Sequence, residues 1–268
     1  MQIAFIGGGN MATALISGLM HKPRPGHSIR VADPSEQARK RLRSDFAVET
    51  FADIGEAVED ADVIVLAVKP QVIPAVLAEL KKNVLPTQLL LSIAAGTTIA
   101  SIESQLSPQQ AVIRSMPNTP ALIGAGIAGL YASSQCKQHH KEQAERILSA
   151  AGQTVWIENE ALMDAVTAVS GSGPAYFFLM TEALAKAGEQ LGLPAEVAQA
   201  LARQTCVGAG AMLAQAAEDA EGLRKRVTSP GGTTQAAIEA FEQGGFRGLV
   251  EQAVQAADRK GKELSLMS

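Results

Sequence analysis

A few short clusters of glycine, hydroxyl and amide residues hold the chemistry open to this chain. In Gly7-Gly8-Gly9-Asn10-Met11-Ala12, Gly7 permits a tight turn, Gly9 lets backbone approach a pyrophosphate and Ala12 keeps the following helix close to the preceding strand. Free N–H groups at the helix start then face the anion. The next apolar run, Ile29-Arg30-Val31-Ala32, ends in Asp33, whose carboxylate can accept from a ribose 2′-hydroxyl and so favours NAD. Ser35, Arg39 and Lys40 lie just beyond and offer the donors a 2′-phosphate would need, which leaves both nucleotides open. Ala67-Val68-Lys69-Pro70, Ser92-Ile93-Ala94-Ala95-Gly96 and Arg114-Ser115-Met116-Pro117-Asn118-Thr119-Pro120 each follow an apolar run and outline a crevice at strand ends. Lys69 can reach a ribose hydroxyl or phosphate, while Asn118 and Thr119, on a loop stiffened by proline, can hydrogen-bond a cofactor amide or a substrate.

Two further clusters suit a small anionic substrate. Ser170-Gly171-Ser172-Gly173-Pro174-Ala175-Tyr176 opens a helical region with hydroxyl donors and close-approach glycines, and Thr167 stands one turn earlier. Val227-Thr228-Ser229-Pro230-Gly231-Gly232-Thr233-Thr234 brings hydroxyls and backbone N–H groups to a helix start, which suits a carboxylate or phosphate. The histidines, His21, His27, His139 and His140, fall outside these loops. Oxidising an alcohol needs a base such as His or Lys, whereas a protonated imine is already electrophilic, so this polar but weakly ionising set fits imine reduction.

The elements that must position these residues follow from periodicity. Short β-rich runs at residues 2–6, 29–32, 63–68, 89–93, 111–115, 126–131 and 154–157 alternate with helical stretches at 35–43, 71–81 and 137–150, which predicts βαβ units around a largely parallel sheet. From about Ala161 the chain is rich in Ala, Leu, Glu and Gln, and helices are predicted over 175–191, 195–215, 234–243 and 246–265. The expected architecture is α/β: a doubly wound, Rossmann-type dinucleotide domain over 1–158 and an all-helical domain over 159–268. Alanine-rich helix faces suggest close packing and a dimer interface. The 268 residues, 47% of them hydrophobic, support cores of this size. A net charge of −4 without a polybasic stripe argues against nucleic acid. Cys136 and Cys206 form no metal or disulfide pattern, and no apolar run is long enough for a membrane span. The expectation is a cytoplasmic protein without a metal.

Along essentially its whole length the chain resembles the pyrroline-5-carboxylate reductase family, on the runs 6–12, 67–70, 116–120, 171–176 and 229–234, in order and at similar spacing. The resemblance implies an oxidoreductase using NADPH or NADH, a cyclic imino acid substrate, and homodimers interlocked through their helical domains and often assembled into decamers. It assigns the substrate carboxylate to Ser229 and Gly232-Thr233-Thr234, and sets Thr167 as the catalytic residue facing the ring nitrogen. Met116, Pro117 and Asn118 would lie against substrate and nicotinamide, with the adenosine end near Ala67, Val68 and Lys69 and the Ala94-Ala95 loop beside the nucleotide. Family members often place an asparagine by the adenosine ribose, where this chain has Asp53. Two rivals share parts of the pattern. A β-hydroxyacid dehydrogenase should carry a lysine on the helix opening its second domain, and none lies between Pro174 and Ala185. A dinucleotide-sensing protein explains the glycine turn but not residues 229–234.

Overall fold

The computed structural model describes residues 1–21 and 27–266. The glycine turn sits as predicted between β1 (Gln2–Ile6) and α1 (Asn10–His21). There follow β2 (Ser28–Ala32), α2 (Glu36–Phe46), β3 (Glu49–Phe51), α3 (Ile54–Val58), β4 (Val63–Leu66), α4 (Ile73–Leu80), β5 (Leu89–Ser92), α5 (Ile99–Gln105) and β6 (Ala111–Met116). β7 (Gly126–Ala132), α6 (Gln138–Leu148) and β8 (Gly152–Trp156) complete one sheet of order β3-β2-β1-β4-β5-β6-β7-β8. From β3 to β6 every pairing is parallel. The connection from β6 to β7 holds only a 3₁₀ turn, Thr119–Ile123, too short for a helical crossover, so β7 pairs antiparallel to β6. β8 then pairs parallel to β7.

Alternation along the strands places Ile3 and Phe5 on one face, against Ala12, Leu15 and Ile16 of α1 and Ile147 of α6. Ala4 and Ile6 face the other way, against Ile73, Val76 and Leu77 of α4 and Ile99 of α5. Strands covered on both faces read as continuous apolar runs, which is why Val63–Leu66 and Leu89–Ser92 stand out in the sequence.

The structure corrects several boundaries. β4 stops at Leu66 rather than Val68 because the chain turns at Ala67–Lys69 into a 3₁₀ turn with Pro70 at its first position. β3 escapes periodicity because it has only three residues on the sheet edge. α3, α5 and α10 (Ala220–Arg226) are short, and Asp53, Thr98 and Asp219 cap them by accepting the N–H groups of Glu56, Ser101 and Gly222.

The chain divides into two compact units: Met1–Ser172 together with the chain from Ala257 onward, and Gly173–Ala256. The first unit includes α7 (Met163–Val166), which opens into a π-helical turn over Thr167–Gly171. The second holds α8 (Gly173–Gln190), α9 (Ala195–Gln215), α10, α11 (Thr233–Gln243) and the first part of α12 (Phe246–Leu266). Gly188 of α8 leaves room for Ala198 of α9, and Ala185, Ala198 and Ala202 are buried. No helix among the described residues is long and apolar enough to cross a membrane.

Candidate active site

The carboxyl ends of the parallel strands gather most of the predicted residues. β1 delivers Gly7-Gly8-Gly9, β2 delivers Asp33, β3 leads to Asp53, β4 to Ala67-Val68-Lys69, β5 to Ala94 and Ala95, and β6 to Met116-Pro117-Asn118. In open α/β sheets ligands bind at this edge, where strand order reverses; here the reversal falls between β1 and β4. Gly7 has φ +101°, and a Cβ there would lie 2.8 Å from the Ala67 carbonyl oxygen. A Cβ on Gly9 would meet nothing within 4 Å, so this turn presents bare backbone to an open space at the start of α1. Such a cradle fits a pyrophosphate.

Asp33 is tied into the same turn. One carboxylate oxygen accepts the Gly8 N–H at 2.7 Å and the other the Ser35 N–H at 2.8 Å. Ser35 caps α2 through the Ala38 N–H. Arg39 donates to the Asp33 and Pro34 carbonyls, and Arg41 reaches the Gly8 carbonyl and the Thr13 hydroxyl at 3.3 Å each. Lys40 is paired with Glu36 on the exposed face of α2. Asp53 caps α3, and Lys69 is exposed at the cap of its turn.

Asn118, expected to meet a ligand through its side chain, is 8% exposed and uses its amide within the protein. Its Nδ2 donates to the Ser170 carbonyl at 3.1 Å and its Oδ1 accepts the Ile127 N–H at 2.9 Å. Within the stretch read from the sequence as a glycine-rich helix opening, Ser170 and Gly171 end the π turn, closed by the Ser172 N–H on the Thr167 carbonyl at 2.8 Å, and Gly173 begins α8. Such turns recur at functional sites. Thr167 is half-buried, and its hydroxyl donates to the Met163 carbonyl at 2.9 Å, which leaves oxygen lone pairs to accept a ligand N–H.

Arg114, one strand residue before Ser115, has a setting that no local pattern reveals. It is 3% exposed and its guanidinium lies 3.1 Å from Glu160 and 3.9 Å from Asp164. Glu160 also accepts the Ile99 N–H at 2.8 Å, and Asp164 the Ser265 hydroxyl at 3.2 Å. Burial, reinforced by Glu160, raises the Glu103 carboxyl above its ordinary range. The sequence carries only a general signal: an arginine inside Ala111-Val112-Ile113-Arg114, on a strand buried on both faces, needs an acidic partner.

In the helical unit Ser229, Thr233 and Thr234 are exposed and Gly232 half-buried. Gly232 is the N-cap of α11 and has no side chain to close the first turn, while Gln235 reaches back to the Gly231 N–H at 2.7 Å. Thr233 and Thr234 therefore stand on a helix start whose N–H groups lack a side-chain cap, a setting that favours an anion. These residues and the strand-edge loops are carried by different units.

The β3-β2-β1-β4-β5-β6 order, glycine turn and carboxyl-edge loops define the class, a Rossmann-type dinucleotide-binding sheet. Comparison with known proteins narrows it. Residues 160–264 match the family described as pyrroline-5-carboxylate reductase dimerisation, and residues 2–96 match NADP oxidoreductase coenzyme F420-dependent. The pyrroline-5-carboxylate reductase of Pseudomonas aeruginosa is 51% identical over 265 residues, 98% of this chain and 97% of that protein. That of Synechocystis is 42% identical over 265 residues, 98% of each. A solved pyrroline-5-carboxylate reductase from Coxiella burnetii superposes with a TM-score of 0.93 at 41% identity, covering 98% of both chains. A Plasmodium falciparum pyrroline carboxylate reductase with NADP bound gives 0.84 at 29% identity, covering 99% of this chain and 98% of that one. The chain belongs to the pyrroline-5-carboxylate reductase family.

Proposed function

We propose that this protein reduces 1-pyrroline-5-carboxylate to L-proline, with hydride added to the C=N carbon and a proton to nitrogen. The observation that carries the reading is the carboxyl-edge cluster itself: a bare glycine cradle for a pyrophosphate on the same strand edge as the Met116–Asn118 loop, which is bonded to the Thr167 π turn, with no imidazole in any of these loops. A reduced nicotinamide dinucleotide, NADPH or NADH, supplies the hydride when bound. Gly7, Gly8, Gly9, Asn10, Met11 and Ala12 would hold its pyrophosphate, and Ala67–Lys69 with Asp33, Ser35 and Asp53 its adenosine end. NADPH is the first donor to test, because the Plasmodium falciparum neighbour was solved with NADP.

The chain's own residues orient the imine and hold its charges. Ser229 and Gly232-Thr233-Thr234 would fix the carboxylate through hydroxyl and helix-start N–H donors, and Met116 and Pro117 would wall the ring. Thr167, whose proton is engaged with Met163, would accept the N–H of a protonated imine and hold it as the carbon is reduced. Placement of reacting atoms, rather than a strong base, then supplies most of the rate. A homodimer, or a larger homo-oligomer, is the working form, in keeping with the dimerisation match over residues 160–264.

The test is the fall in NADPH absorbance when purified protein meets 1-pyrroline-5-carboxylate, with proline identified as product. Enzyme-dependent oxidation of NADPH that yields proline is the expected result. Folded protein that binds NADPH yet leaves the imine untouched would overturn the reading.

A further inference from the structure

In a regular α-helix the carbonyl of one residue accepts the N–H of the residue four positions on. For Ser170 that residue is Pro174, which has no N–H and whose ring crowds that same carbonyl in a regular turn. Two features answer this. The chain widens into the π turn, with the Ser172 N–H reaching five residues back to Thr167. The Ser170 carbonyl, left without its helical donor, receives the Asn118 Nδ2 from the loop after β6.

The amide is engaged at both ends. Its other end accepts the Ile127 N–H, at the start of β7, and one partner is a donor and the other an acceptor, so a single amide orientation satisfies both. The same loop grips the turn a second time, since a Cβ on Gly171 would come within 2.7 Å of the Met116 Cε. Thr167 and Ser170 in turn donate their hydroxyls to the Met163 and Val166 carbonyls, each at 2.9 Å, so the geometry of the turn sets where both oxygens lie.

We propose that Asn118 is a positioning residue for Thr167: its amide replaces the N–H that Pro174 lacks and holds the π turn in the shape that presents the Thr167 hydroxyl. This rests on the imine-reductase reading for its effect on rate, though not for its effect on the turn. Removing the amide takes the donor from the half-buried Ser170 carbonyl, and the turn shifts to satisfy it.

The experiment uses the full chain with Asn118→Ala, Asn118→Asp, Pro174→Ala and the double substitution Asn118→Ala with Pro174→Ala. Amide exchange of Ser172 reports the turn, and kcat and KM for 1-pyrroline-5-carboxylate report the reaction. NADPH Kd, read from nicotinamide fluorescence, reports ligand contact. Asn118→Asp, which sets an oxygen against the Ser170 carbonyl, is expected to lower kcat by about 10²-fold while NADPH Kd stays within about twofold. Ser172 exchange should quicken by about tenfold in Asn118→Ala, and this effect should largely vanish when Pro174→Ala restores a backbone donor. A tenfold rise in NADPH Kd with kcat retained would make Asn118 a ligand contact and overturn the proposal. Equal effects of Asn118→Ala in both backgrounds, or unchanged Ser172 exchange, would overturn it too. Should the unsubstituted protein fail to reduce the imine, the functional reading fails while Ser172 exchange still decides the latch.

Discussion

The sheet unit and the helical unit bury their apolar residues in different ways. Ile3, Ile64 and Leu90 are 0% exposed, because each strand of a crossover sheet has two faces and the chain's own helices cover both. On α8, by contrast, Phe177, Phe178 and Leu179 are 63%, 68% and 66% exposed. The residues α8 and α9 do bury are small, Ala185, Ala198 and Ala202, which lets these helices approach closely and leaves the large side chains turned outward. Exposed large apolar side chains are what an association site presents, and the family described as pyrroline-5-carboxylate reductase dimerisation covers that part of the chain. One unit thus closes its own core, whereas the other leaves large apolar side chains in the open.

Breaking the second half of that contrast should have the largest effect. Phe178→Glu combined with Leu179→Glu is expected to weaken self-association by at least about 10²-fold, as loss of aromatic anchors does; sedimentation unchanged at micromolar protein would show that this face covers nothing. Ile64→Ala tests the first half. It should lower stability by about 2–5 kcal/mol through the cavity it leaves, seen as an earlier urea midpoint with the sedimentation of the parent, and a loss below about 1 kcal/mol would mean that the sheet core is less tightly filled than its burial indicates.

Smaller effects sharpen what each unit does. Thr234→Val should raise KM for the imine by about tenfold, the scale of one hydrogen bond to a charged group, with NADPH affinity unchanged; unaltered imine kinetics would remove Thr234 from the substrate site. The smallest effect concerns His140, 5% exposed on α6, whose Nδ1 accepts the Lys137 N–H at 3.2 Å. Burial, followed by the nearby His139 and Lys137, holds this imidazole below its ordinary pKa of 6.5. The unfolded chain therefore takes up the proton first, so the stabilisation is complete above the ordinary imidazole range and is lost as pH falls through the folded value. The thermal midpoint of His140→Gln should lie below that of the parent at about pH 8 and approach it on acidification; a gap constant with pH would show that the ring's charge state is irrelevant to the fold.

Much of the sheet unit is legible in the sequence. Runs such as Val63–Leu66 carry no alternation, the glycines follow an apolar strand, and these signals survive because they are local. The short helices α3, α5 and α10 were hidden because a turn or two of helix shows little periodicity, although Asp53, Thr98 and Asp219 were standing at their starts. Individual side chains were harder. Asp33 is placed at its strand end as expected, yet both its oxygens hold backbone N–H groups. Asn118 reads from the sequence as a hydrogen-bonding side chain, and only the fold shows its amide joining two distant backbones.

What the sequence determined by itself is whatever depends on neighbours along the chain: the strand–glycine–helix opening, the order of βα units, the helical second half, and the family to which those motifs belong. Tertiary structure alone decided that Arg114 lies between Glu160 and Asp164 and that the Asn118 amide reaches the Ser170 carbonyl. Glu160 is 46 residues from Arg114, and Ser170 is 52 from Asn118. No periodicity spans such distances; only burial, which forbids an unpaired charge or carbonyl, selects the partner.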